Sequence, residues 1–76
     1  MPHVVVKLHA GRSAEQKKAL AQAVTKAVTS TLKLGEESVS VGIEDVEPRN
    51  WTEQVYRPDI LGKMATIYKK HGYDPL

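Results

Sequence analysis

Cysteine is absent from the 76 residues. That removes disulfides, thiolate nucleophiles and the common cysteine-based zinc sites. The three histidines, His3, His9 and His71, lack the close spacing of a metal-binding motif, so neither metal nor other cofactor is expected. No apolar run approaches the roughly eighteen residues of a membrane span, and no signal-like segment precedes the first apolar run. A cytoplasmic chain without a membrane partner is the expectation. Aromatic residues are scarce, and none interleaves with the basic positions Lys7, Arg12, Lys17, Lys18, Lys26 and Lys33, which alternate instead with Glu15, Glu36 and Glu37. Nucleic-acid binding calls for a denser basic stripe or stacking aromatics. The net charge of +2 suits an anionic small molecule better.

A chain of this size forms one domain, residues 1–76, and buries only roughly 60–65% of its unfolded surface, so its core is marginal. With disulfides and metals removed, association with further copies is the expected source of additional stability.

Local patterning predicts a β-α-β unit of the α/β class with a second, C-terminal helix. "HVVVKL" (3–8) is rich in β-branched residues and reads as a strand. Gly11 breaks it. Ser13 and Gln16 have capping-box spacing, and Glu15 favours the positive end of the helix dipole. Apolar residues then recur at Leu20, Ala23, Val24, Ala27, Val28, Thr31 and Leu32 with helical period, and the helix is predicted to end near Leu34 with Gly35 as its left-handed cap. Val39, Val41 and Ile43 alternate with polar or small residues, predicting a second strand parallel to the first. "EPRNW" reads as a turn. Pro58 and Asp59 are predicted to open the second helix through Lys70, with Gly72 as its cap. One helix covers one face of a two-stranded sheet, so the other face calls for the second helix and partner subunits.

Pro2 is the unusual residue. Proline lacks the N–H that a sheet requires and is tolerated at a strand's first position. Removal of Met1 would leave it as a secondary amine, and an apolar, cation-lined pocket would lower that amine's pKa toward neutrality. Such a base suits proton transfer beside a carbonyl.

"MP" heading a strand, "GRSAEQK" opening the helix, "SVSVGIEDV" and Trp51 together resemble the 4-oxalocrotonate tautomerase family, over residues 1 to about 51. The "MPH" start and the tail "KKHGYDPL" are similar to its longer bacterial branch, which ketonises enol-pyruvates. The resemblance implies Pro2 as general base, Arg12 as the anchor of a substrate carboxylate and Trp51 as the apolar wall. Ser40 stands where the family's name-giving enzyme carries a second arginine, which argues against a dicarboxylate; Arg49 and Arg57 are candidates to replace it. His9 is expected at the pocket edge, and His3 is read as structural or near an interface. A monocarboxylic 2-oxo acid or its enol is therefore the expected substrate. The resemblance also implies a homo-oligomer with pockets between subunits; the extended C-terminus favours a dimer over a hexamer.

Two alternatives accompany this reading. Glu53 resembles the water-activating acid of hydratases and dehalogenases in the same superfamily, although the paired arginines of those dehalogenases are here His9 and Arg12. A non-catalytic oligomeric binding module is the other.

Overall fold

The computed structural model describes residues 1–73; the last three residues of the tail, 74–76, lie outside the described residues. Two strands, β1 (His3–His9) and β2 (Ser40–Val46), pair in parallel from His3↔Ser40 to His9↔Val46. Partners opposed in a parallel ladder point to the same face. Val4, Val6, Leu8, Val41 and Ile43 therefore share one face, and His3, Val5, Lys7, Ser40 and Glu44 share the other.

The helix α1 (Ala14–Leu32) connects the strands. Its entry is the predicted capping box: Ser13 Oγ accepts from the Gln16 N–H at 3.0 Å, and Gln16 Oε1 accepts from the Ser13 N–H at 3.1 Å. A cap of this kind contributes about 1 kcal/mol. Lys17 donates to Asp45 at 2.8 Å and ties the helix to the first-named face of the sheet.

The helix ends differently from expectation. Lys33, not Gly35, adopts the left-handed conformation (φ 60°, ψ 50°), while Gly35 has an ordinary φ of −82°. The N–H groups of both Lys33 and Leu34 donate to Thr29 O, satisfying a carbonyl of the last turn two residues before a glycine is available.

The apolar stripe of α1 is also only partly used. Val24 and Val28 are half-buried together with Lys17, Ala21, Thr25 and Thr29, whereas Leu20, Ala23, Ala27 and Thr31 are exposed. Two strands cover one flank of a helix whose stripe is wider. No residue of α1 is buried.

After a turn at Pro48–Asn50, the chain folds back as a π-wound segment, Thr52–Ile60, followed by a 3₁₀ segment, Leu61–Thr66. The second helix thus begins six residues before Pro58 and ends four before Lys70; Gly72 caps nothing. Pro58 sits inside it. In an α-helix its ring would press on the carbonyl four residues earlier. The wider π turn relieves that contact, and the Leu61 N–H reaches back five residues to Tyr56 O. Lys63, at φ −132° and ψ 34°, then kinks the chain.

The segment packs on the sheet face opposite α1. Val46, Val55 and Tyr56 are the buried hydrophobic residues among those described. Full burial of each such side chain contributes about 1.5–3 kcal/mol, so this core is small.

Candidate active site

The sequence-predicted residues fall into two groups at opposite ends of the strands. At the leading end, Pro2 is half-buried directly before β1, and its carbonyl accepts the Ser40 N–H at 3.2 Å. His3 Nδ1 lies 2.7 Å from Ser40 Oγ. The ladder register produces this contact, because it sets His3 opposite Ser40 on one face.

At the trailing end, the Ala10 N–H donates to Val46 O at 3.0 Å, which holds β1 to the end of β2. Gly11 then takes a φ of 123°, a region that L side chains avoid. This turn delivers exposed Arg12 immediately before the Ser13 cap. Arg12 borders a recess of about 160 Å³ shared with Leu8, Gln16, Lys17 and Leu20. His9 meets Trp51 edge to face, with ring centroids 4.6 Å apart. Seven extended residues separate the two groups by roughly 20 Å at about 3.3 Å per residue. Pro2 and Arg12 of one protomer therefore do not meet.

Glu53 is exposed and accepts from Arg57 Nε at 2.8 Å, an i,i+4 pair on the outside of the π-wound segment. This pairing turns both side chains toward each other. Arg49 is exposed in the turn after β2, at the end of that strand remote from Ser40. Among the described residues, no three histidine or carboxylate groups cluster to hold a metal ion.

Between the sheet and the C-terminal segment lies a cleft of about 530 Å³, walled by Val5, Trp51, Val55 and Ile60 and crossed by the ion pair of Lys7 with Asp59. The hydrogen bond from Lys7 holds the Asp59 carboxyl below its ordinary value, and the same bond holds the Lys7 ammonium above its own. The sequence carries no signal that joins Lys7 to a residue 52 positions away. It also left His3 without its Ser40 partner, although a parallel register starting at these two residues would have matched them.

The profile of a family described as "Tautomerase enzyme" matches residues 2–58. A protein of Xylella fastidiosa (strain 9a5c) named "Probable tautomerase" is 40% identical over 76 residues, spanning 100% of this chain and 93% of that protein. Tautomerase PptA of Cronobacter sakazakii (strain ATCC BAA-894) is 35% identical over 75 residues, 97% of this chain and 99% of that one. Among solved structures, a candidate 4-oxalocrotonate tautomerase from methicillin-resistant Staphylococcus aureus superposes with a TM-score of 0.60 at 45% identity, over 62% of this chain and 76% of that one. A proline-headed parallel β-α-β unit with an arginine at the helix entry, matched along nearly its whole length by such relatives, belongs to the tautomerase family of isomerases.

Proposed function

We propose that the chain catalyses cofactor-free enol–keto tautomerisation of a monocarboxylic 2-oxo acid, with the Pro2 amine as general base. Met1 is 97% exposed, which leaves it open to removal by an aminopeptidase. The freed amine would stand at the head of β1 with its carbonyl pinned by Ser40. A base fixed on a strand loses little freedom when it meets substrate.

The observation that carries the reading is the separation of Pro2 from Arg12 along β1. A pocket uniting them needs the trailing end of one protomer against the leading end of another. Arg12, His9 and Trp51 of one copy would then meet Pro2 and Ser40 of the next. The guanidinium would hold the substrate carboxylate through two parallel charge-assisted bonds, and Trp51 would exclude water from the amine. Ser40 supplies no charge for a second carboxylate, which favours an aryl or alkyl enol-pyruvate. The exposed apolar flank of α1 supports association, and the C-terminal segment, by covering the opposite sheet face, favours a dimer.

The test is ketonisation of phenylenolpyruvate, followed by ultraviolet absorbance, for the natural sequence and Pro2→Ala with both masses confirmed. Alanine at this position also permits removal of Met1. Loss of the rate in Pro2→Ala is expected; a rate equal to buffer, or unaffected by the substitution, would defeat the proline-base reading for this substrate class.

A further inference from the structure

We propose that His3 and Ser40 form one oxygen-binding element beside Pro2, in which the Ser40 hydroxyl donates to the C2 oxygen of the 2-oxo acid and His3 aims it. The proposal rests on the reading of Pro2 as the base and adds the group that receives the developing charge.

Three features of the leading end carry it. The Ser40 backbone N–H is bonded to the carbonyl of Pro2 itself, so Ser40 is held beside the residue whose amine would act. The Ser40 side chain is held by His3 Nδ1 at 2.7 Å, across strands and on one face of the sheet. Both residues are exposed, whereas Lys7 and Val46 farther along that face are half-buried and buried. A polar pair that is anchored at its base and open at its tip can meet a ligand.

Hydroxyl chemistry decides what the pair offers. Serine has one hydrogen to donate. When Nδ1 carries its proton and donates to Ser40 Oγ, the hydroxyl hydrogen is free to point outward. When Nδ1 is bare, it consumes that hydrogen. His3 therefore controls whether Ser40 is a donor, and donation to Oγ also polarises the hydroxyl.

The reaction needs such a donor. Pro2 takes the enol hydroxyl proton, and the O–H pair stays on the oxygen as an enolate. That pair forms the C2=O bond as the C2=C3 pair takes the proton back from the Pro2 ammonium at C3. Charge on the C2 oxygen is greatest between the two transfers, when a fixed hydrogen bond is most effective. Ser40 donates a hydrogen bond throughout and transfers no proton. One neutral donor matches one partial charge, while Arg12 of another copy takes the carboxylate. Ser40 thus touches substrate, and His3 is a positioning residue acting through it.

A purely structural clasp between the strand ends makes different predictions, and steady-state ketonisation of phenylenolpyruvate separates the two. Ser40→Ala is expected to lower kcat by roughly tenfold, below the effect of a fully buried oxyanion donor, with KM changed far less. Ser40→Thr, which keeps the hydroxyl, should restore most of the rate. His3→Ala should resemble Ser40→Ala, His3→Asn should recover part of the loss, and the double variant should be no slower than Ser40→Ala alone. Unchanged kcat in Ser40→Ala, or multiplied losses in the double variant, would overturn the proposal.

A second measurement does not need turnover. Phenylpyruvate titrated into the protein should shift the His3 imidazole resonances to saturation, and Ser40→Ala should abolish that shift; an unshifted His3 at saturation overturns the pair's role. The two readings fail separately. Full activity in Pro2→Ala removes the base but leaves the imidazole shift to decide this pair, whereas Pro2-dependent turnover indifferent to Ser40→Ala removes the pair alone.

Discussion

Arg12 follows a glycine at φ 123°, and that glycine sets the direction in which the guanidinium leaves the strand. No atom would crowd a Cβ at Gly11, so the cost of a side chain there is conformational. Gly11→Ala is expected to destabilise the fold by about 1–2 kcal/mol, read in urea unfolding, and to raise KM by redirecting Arg12. Arg12→Ala should raise KM for phenylenolpyruvate by at least about tenfold, and Arg12→Lys should recover only part of it, because an ammonium offers no planar fork. At this scale the sequence was partly legible. Gly11 showed as a strand breaker and Arg12 as a helix-entry cation, but the positive φ that links them depends on the closure of Ala10 onto Val46. The partnership of His3 with Ser40 was hidden for a related reason: it exists only through the register.

The ends of the helices show where local chemistry suffices and where tertiary contacts take over. Ser13 and Gln16 cap α1 as their spacing requires, since both partners lie within one turn. The other end is decided by where the chain must turn toward β2, and Lys33 bears the left-handed conformation although Gly35 is two residues away. Lys33→Gly is expected to stabilise the protein by about 1 kcal/mol in thermal or urea unfolding. Pro58 misled the placement of the second helix because proline favours a first turn, whereas here a π turn accommodates it internally. The Lys7–Asp59 pair fastens that segment to β1 and gives it a pH window. Asp59's contribution is complete above the ordinary carboxyl value of 3.8 and is lost as pH falls through the lower folded value. Lys7's contribution is complete below 10.5 and is lost as pH rises through its higher folded value. Trp51, the single tryptophan, reports on the segment. Urea unfolding followed by its fluorescence at each pH should show a contribution from the pair that is constant between those limits and falls beyond each, and Asp59→Asn should flatten the acid limb.

Across the whole molecule, strand order and the β-α-β plan were legible because each rests on a short-range period, and they coincide with the observed parallel pair. The extent of burial was not. The stripe on α1 counts seven apolar or threonine positions, yet one protomer's sheet shields only the Val24–Val28 side. Leu20, Ala23, Ala27 and Thr31 are left as a flank of small and apolar side chains on which another copy can pack closely. A pocket that joins Pro2 to another copy's Arg12 makes such packing a condition of activity. Light scattering is therefore expected to give twice the 8.4 kDa protomer mass. Ala27→Glu, on the exposed flank, should weaken association by at least about tenfold, since an unpaired charge in a contact costs several kcal/mol, and ketonisation should fall as protein is diluted. Gln22→Glu, on the opposite side of α1, should leave both mass and rate unchanged. A mass near six protomers would show that the C-terminal segment does not block further assembly, and a monomer with undiminished rate would defeat the shared pocket.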